Sequence, residues 1–281
     1  MFIFWGLNLN IQLNSIFVST LFTAMQPLSV SIITFNEEKN IARCLDSIKD
    51  IANEIVVIDS NSTDNTESIC RQYGVKFLKQ SFLGYIEQKN FALEQCKHNA
   101  VLCLDADECL SPTLIKSIKE AKLKDFPADA YTMNRCTNFC GKWIKNGTWY
   151  PDKKLRLFNK QKGKWAGTNP HDKIEMTDNI KPVFFKGDIY HYSYYTVEEV
   201  LTQQNKFTTI QAKAMLQQGK RSSVFKLIIN PLVAFVSGYV FKLGFLDGVD
   251  GFFIASTVSY NTMVKYYKLL RLQNEKLKIK S

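Results

Sequence analysis

The sequence predicts an α/β fold: a mostly parallel sheet with helices on both faces, followed by a helical appendage at the C-terminus. Three observations carry this. The runs Leu28 to Phe35, Glu54 to Ile58 and Ala100 to Leu104 are close to continuously apolar, as expected of strands covered on both sides. Segments of helical period separate them, so strand and helix alternate along the chain. Each run also stops at a polar cluster, as strand ends that border a cleft do.

The elements follow in order. After Leu28 to Phe35, the residues Ile41, Leu45 and Ile48 fall on one helical face, with Asn36 placed as its N-cap. The second strand ends at Asp59, and Asp64 with Glu67 matches a capping box opening a helix to about Tyr73. Val75 to Leu78 forms a third strand and Tyr85 to about Lys97 a third helix. The fourth strand runs into Asp105-Ala106-Asp107-Glu108. Ser111-Pro112 then marks a helix start, a cap followed by proline at the first helical position.

Thr34-Phe35-Asn36-Glu37, Asp59-Ser60-Asn61-Ser62 and Asp105-Ala106-Asp107 all fall at the carboxyl ends of these strands. Open parallel sheets bind ligands at that edge. In an extended segment Asp105 and Asp107 face the same way, and two such carboxylates suit Mg²⁺ or Mn²⁺ completed by water and phosphate. Neither Gly-x-Gly-x-x-Gly nor a Walker loop is present, which counts against dinucleotide-dependent dehydrogenases and P-loop ATPases.

The 36 basic residues against 26 acidic give +10, which points to an anionic partner. No signature of DNA or RNA binding accompanies the charge. The seven cysteines are odd in number, with no Cys-x-x-Cys, and read as reduced, mostly core thiols of a cytoplasmic protein rather than a zinc site. Residues 1–24 carry no charge, and Asn8, Asn10, Gln12 and Asn14 interrupt them. They read as a non-essential extension ahead of a domain over 25–195, with an interfacial anchor as the alternative.

Leu28 to Glu38, Ile55 to Asp64 and Leu104 to Glu108 together resemble the signature of family 2 glycosyltransferases. Gln88-Lys89-Asn90, Lys154 to Phe158, Gly167 to Asp172 and Gly244 to Gly248 are similar to the branch holding lipopolysaccharide core β-1,4-glucosyltransferases. The resemblance covers roughly Leu28 to Lys268. It implies a GT-A fold and a metal-assisted, inverting transfer from a UDP-sugar donor to a lipid-linked glycan acceptor.

It also implies residue roles. Asp59 accepts from the uracil N–H, Thr34 and Asn36 line the nucleoside pocket, and Glu37 counts among the substrate-binding residues. Phe35 either covers the base or is a packed aromatic. Asp105 lies near the ribose and metal-bound water, and Asp107 coordinates the cation. Lys89 either adds charge near the phosphates or is a solvated helix lysine. The catalytic base falls at Asp172, with His171 orienting it or touching substrate; the branch usually shows His-Glu here, and a turn-capping aspartate is the rival reading. Arg156 contacts phosphate or acceptor, or belongs to an ordinary strand. His191 offers a third metal or phosphate contact, or is structural.

From 196 to 281 the chain changes character. Val224 to Phe241 is apolar but interrupted by Lys226, Asn230, Pro231 and Gly238, giving pieces too short for a clean crossing. With Phe252 to Val264 and the basic tail, this fits two amphipathic or re-entrant helices lying in the interface at the anionic inner face of the cell membrane; the alternative is a helical lid or dimer surface packed on the catalytic domain. A nucleotidyltransferase or non-catalytic nucleotide-sugar binder is the rival function. The acidic Thr34 to Glu38 segment lacks the glycine-rich basic loop expected of a nucleotidyltransferase.

Overall fold

The computed structural model describes residues 26–168, 171–177 and 179–278, without the side chains of 168, 171 and 276–278. The expected extension over 1–24 and the side chain of His171 therefore lie outside the described residues.

The first half alternates as the sequence demands: β1 Leu28–Thr34, α1 Ile41–Ile48, β2 Glu54–Asp59, α2 Thr66–Gln72, β3 Lys76–Lys79, α3 Tyr85–Gln95, β4 Ala100–Asp105, β5 Glu108–Leu110 and α4 Pro112–Leu123. Next come β6 Ala130–Phe139, β7 Lys142–Trp143, β8 Asp152–Asn159, the hairpin β9 Gly163–Thr168 and β10 His171–Met176, and β11 Val183–Tyr194. Three helices follow: α5 Val197–Gln217, α6 Val224–Val236 and α7 Gly248–Lys278.

The main sheet runs β3-β2-β1-β4-β8-β6-β11-β5, with β7 beside β6. Its β3-β2-β1-β4 half is parallel throughout. β8 is antiparallel to both β4 and β6, so two reversals leave β6 and its parallel neighbour β11 pointing the same way as β4. The strand ends Thr34, Asp59, Asp105, Phe139 and Tyr194 consequently lie along one edge.

Period-two alternation divides the core between two faces. Leu28, Val30, Ile32, Leu102 and Leu104 pack with Ile41 and Leu45 of α1 and Leu114 and Ile118 of α4. Val56, Ile58, Val101 and Cys103 pack with Ala92 and Leu93 of α3 and with Trp165 and Ile174 of the hairpin. Asp105 continues the Val101–Cys103 row, so its side chain belongs to the face that α3 covers.

Two caps differ from expectation. α1 starts at Ile41, and Asn36 lies ahead of it at φ 55°. There Asn36 Oδ1 accepts from Thr63 N (2.8 Å) while its own N–H donates to Ser62 Oγ (2.8 Å), tying two strand-end loops together. Asp64 and Glu67 form no capping box: Asp64 accepts from the backbone and hydroxyl of Thr66, and Glu67 pairs with Arg71 and Lys79. The Ser111 cap is as expected, its Oγ accepting from Leu114 N (3.2 Å) with Pro112 opening the helix.

Residues 224–241 form one continuous helical run, α6 closing in a π turn over 237–241, rather than separate pieces. By length and composition it could cross a membrane. None of the four interruptions breaks the helix. Pro231 is buried, its carbonyl receiving Ser259 Oγ (2.9 Å) from α7, and Gly238 packs against Thr148. Phe139, Ile144, Val200 and Ile254 make a third core that fastens α5 and α7 to the strand-end edge.

Candidate active site

The turn after β4 decides the geometry. Extended alternation ceases at Asp105, and Ala106-Asp107 lie in a tight turn leading into β5. The backbone of Asp105 donates to Glu108 Oε2 (3.0 Å), closing that turn. β5 pairs antiparallel with β11, His191 opposite Glu108, and Tyr192 N donates to Asp107 O (2.9 Å). Asp107 and His191 are thereby brought together from 84 residues apart, Oδ2 to Nε2 at 3.1 Å.

Asp105 serves other partners. Its Oδ1 is 3.1 Å from Lys89 Nζ and its Oδ2 is 3.1 Å from Arg156 Nη2. Lys89 Nζ also donates to Asp172 Oδ2 (2.8 Å), and Arg156 Nη2 to Glu108 Oε1 (2.8 Å). Arg135 extends the chain, 3.6 Å from Glu108 and 2.8 Å from Asp152. Acid and base alternate from Asp172 through Lys89, Asp105, Arg156, Glu108 and Arg135 to Asp152. The Trp165 ring lies against both inner cations, its centroid 4.5 Å from Lys89 Nζ and 5.6 Å from Arg156 Cζ.

Asp105, Lys89 and Arg156 are held in the charged state. Burial opposes the charge of Asp105, but Lys89 and Arg156 outweigh it and keep the carboxyl well below the usual carboxylate range. Burial likewise opposes the Lys89 ammonium, yet the net shift is upward because Asp105 and Asp172 flank it. Arg156 is raised above its ordinary value by Glu108 and Asp105, again against burial. Such a chain is costly to interrupt, since removal of one member leaves its neighbour buried and unpaired.

Helix α3 organises this cluster. Gln88 Nε2 donates to Ser60 Oγ (3.1 Å) and Gln80 O (3.2 Å), reaching the loop after β2. Asn90 makes a two-way bond with the Trp165 backbone, 2.9 Å out and 3.0 Å back, which seats β9 on the helix. Lys89 between them is 7% exposed, so the solvated-lysine alternative does not hold. Arg156, 4% exposed, is likewise no ordinary strand side chain.

At the other strand ends, Thr34 is buried and stands opposite Asp59 in the β1–β2 register. Asp59 is fully buried, its two oxygens accepting from the backbone and hydroxyl of Ser62. Phe35 is 56% exposed, which excludes the packed-aromatic alternative. Glu37 accepts from Asn40 Nδ2 (2.8 Å). Burial, helped by the nearby charges of Asp107 and Asp64, pushes its carboxyl up to about 7 despite the Asn40 bond.

The site thus has two ends. One gathers Asp107, His191 and Glu37 beside the loops of Thr34, Phe35, Asn36 and Asp59. The other gathers Lys89, Asp105, Asp172 and Arg156 under Trp165. Glu108, Arg135 and Trp165 were not singled out from sequence. Glu108 had a local signal, directly following the Asp pair, whereas Arg135 and Trp165 become members only through the β6–β8 pairing and the hairpin.

At the first end, Asp107 and His191 are the side chains that could hold a divalent cation. Among the described residues no group of three or more His, Cys, Asp or Glu side chains is placed to hold a metal ion. Asp107 and His191 instead offer one carboxylate oxygen and one imidazole nitrogen. That set suits Mn²⁺, or Mg²⁺ less well, with remaining positions left to phosphate and water.

Comparison with known proteins gives the family. The model of "Glycosyl transferase family 2" matches residues 29–177. An uncharacterized glycosyltransferase of Rickettsia felis is 32% identical over 92% of this chain and 93% of its own. The lipopolysaccharide core biosynthesis glycosyltransferase LpsC of Rhizobium meliloti is 29% identical over 86% of this chain and 92% of its own. Among solved structures, glucosyl-3-phosphoglycerate synthase from Mycobacterium tuberculosis, in complex with Mn²⁺, UDP and glucosyl-3-phosphoglycerate, matches with a TM-score of 0.35 at 22% identity, over 41% of this chain and 46% of that one. With the family model spanning more than half of the chain and a relative 32% identical over 92% of it, the protein is a glycosyltransferase with a GT-A fold, a member of glycosyl transferase family 2.

Proposed function

We propose that the protein transfers a sugar, glucose by its motifs, from a UDP-sugar to a lipid-linked glycan of the lipopolysaccharide core type, with inversion and with a divalent cation. The observation that carries this is the meeting of Asp107 Oδ2 with His191 Nε2 at 3.1 Å on the strand-end edge, beside the Thr34 and Asp59 loops. Likeness to LpsC over 86% of the chain supports the acceptor class. We read residues 25–195 as the catalytic unit and 196–281 as a helical region serving the acceptor side. The same reading places the chain in the cytoplasm, at the inner face of the cell membrane.

Asp107 and His191 would hold Mn²⁺ or Mg²⁺, which supplies Lewis-acid help to the departing diphosphate. Thr34, Asn36, Glu37 and Asp59 line the nucleoside pocket, and Phe35 covers the base from its exposed position. Asp172 takes the proton from the acceptor hydroxyl as that oxygen bonds to the anomeric carbon and the bond to UDP breaks. Lys89 orients Asp172 through the 2.8 Å bond, and Asp105 holds Lys89 in place. His171 stands beside the base in sequence and is assigned to orienting it or touching substrate.

The test is Mn²⁺-dependent UDP release from a panel of UDP-sugars, with lipid extracts as acceptor, in the wild type and in Asp107→Ala. Release that needs Mn²⁺ and falls at least a hundredfold in the variant is expected. Undiminished release in Asp107→Ala would sink the metal assignment. No release from any donor would favour a binding protein without turnover.

A further inference from the structure

We propose that the outward face of α6, continued onto the turn before α7, is a docking surface for an anionic lipid bilayer and lies flat in its interface. It rests on the preceding reading only for what the bilayer carries; the surface itself is read from the helices.

Phe225, Ile228, Leu232, Val236 and Val240 follow one another at helical spacing, and all five are exposed. Phe225 and Phe241, at the two ends, are 71% and 78% exposed. An apolar stripe of about four turns far exceeds the scattered exposed side chains normal for a water-facing surface. Charge complements it. From residue 200 onward the sequence has twelve Lys and Arg against three Asp and Glu, so almost all of the +10 resides there. None of the three acids falls between 200 and 246. Lys220, Arg221 and Lys226 flank one end of the stripe and Lys242 the other, as in helices that bury an apolar face while meeting anionic headgroups.

The same charges disfavour a second copy as occupant. Pairing this face with itself would set basic ends against basic ends, with no carboxylate on the stripe to relieve them.

The packing selects an in-plane pose over a crossing one. α6 lies antiparallel along α7, fixed by Ser259 Oγ on Pro231 O (2.9 Å) and by Ser222 N on Gln273 Oε1 (2.6 Å). The opposite side of α7 is occupied by α5, where Lys268 Nζ meets Asn205, Thr208 and Thr209, and by the third core through Ile254. A crossing α6 would have to leave α7, whereas a flat α6 keeps every one of these contacts. The end of the same helical run reaches the catalytic domain, where Gly238 packs against Thr148 and Gly147 N donates to Lys242 O (2.8 Å), so one end of the surface meets the loop that follows β7 beside the strand-end edge. A lipid-anchored acceptor would meet the site without leaving the bilayer.

Flotation of the full-length protein with phosphatidylcholine vesicles, with and without phosphatidylglycerol, tests this without donor or acceptor. Binding is expected only with the anionic lipid. It should fall at least tenfold in Ile228→Glu/Leu232→Glu and, separately, in Lys220→Glu/Arg221→Glu/Lys226→Glu, with circular dichroism unchanged. No binding by the wild type, or equal binding by both variants, would overturn the proposal. Resistance to alkaline carbonate extraction would overturn the flat pose, and a stable dimer broken by the apolar variant would assign the face to a second copy. Vesicle binding without UDP release from any donor would leave the surface standing and remove the proposed reaction; UDP release without vesicle binding would do the reverse.

Discussion

Lys89 Nζ stands 2.8 Å from Asp172 Oδ2 and 3.1 Å from Asp105 Oδ1, bridging the β9–β10 hairpin to the end of β4. One buried ammonium therefore sets the position of the residue assigned as base relative to the strand that leads into Asp107. Asn90, the next residue of α3, fastens the same hairpin through the Trp165 backbone.

Lys89→Ala should destabilise the protein by about 3 kcal/mol, because Asp105 and Arg156 would be left in an unbalanced buried cluster. Urea unfolding measures it. Lys89→Arg should recover part of the stability but little of the transfer rate, since a planar guanidinium cannot meet two carboxylates from the position of a point charge. A change under 1 kcal/mol in Lys89→Ala would mean that the pairing contributes nothing net.

The same pairing has a pH signature. The Asp105 carboxyl lies below its ordinary value of 3.8 in the folded state, so its contribution is complete above that pH and is lost as pH falls through the lowered value. Lys89 lies above its ordinary 10.5, so its contribution is complete below that pH and is lost as pH rises through the raised value. The Lys89→Ala penalty should accordingly be flat from about pH 5 to 9 and shrink at both extremes, as unfolding midpoints across that range would reveal.

Asp172→Asn should lower the transfer rate by about 10²- to 10⁴-fold while leaving UDP and Mn²⁺ affinity nearly unchanged. The amide oxygen can still accept from Lys89, so the hairpin keeps its place while the proton acceptor is lost. Calorimetry showing lost UDP binding would move the residue into the donor pocket.

Glu37 shows the opposite sign from Asp105. Its carboxyl is raised to about 7 from 4.5, so the folded state holds the extra proton between those values and stability declines as pH rises through them. Glu37→Gln should match the wild type below about pH 4.5 and exceed it above pH 7, by about 1 kcal/mol after solvent screening. In metal-free protein, thermal midpoints at the two pH values decide the matter. Equal differences at both would remove the titration.

Gly251→Ala should release the C-terminal helices from the strand-end edge. A Cβ there would meet Gly244 O at 1.9 Å, a backbone atom in the turn whose Asp247 carboxylate caps Asn146 N (2.8 Å). A loss of about 1–3 kcal/mol is expected, with faster proteolysis between 218 and 247. Unchanged proteolysis would place the anchorage elsewhere.

The parallel half of the sheet was legible because its strands are buried on both faces, and that burial writes continuous apolar runs into the sequence. The later strands were not. β8, with Lys153, Lys154 and Arg156 along it, and β11, with Lys186 and Asp188, mix charge into the pattern. The caps at Asn36 and Asp64 misled for a related reason: short polar side chains serve loop-to-loop bonds as readily as helix starts. In 224–241, Pro231 and Gly238 read as breaks, but packing on α7 and beside Thr148 absorbs them.

Sequence by itself determined the family, the strand-end placement of Thr34, Asp59 and Asp107, and the basic, apolar character of the C-terminal region, because these depend on local pattern and composition. Only the tertiary structure decided which side chains meet. The antiparallel pairing of β5 with β11 sets His191 against Asp107, and the seating of the hairpin on α3 sets Asp172 against Lys89. Both contacts span more than eighty residues, and a strand's register, rather than any neighbouring residue type, fixes which side chain arrives.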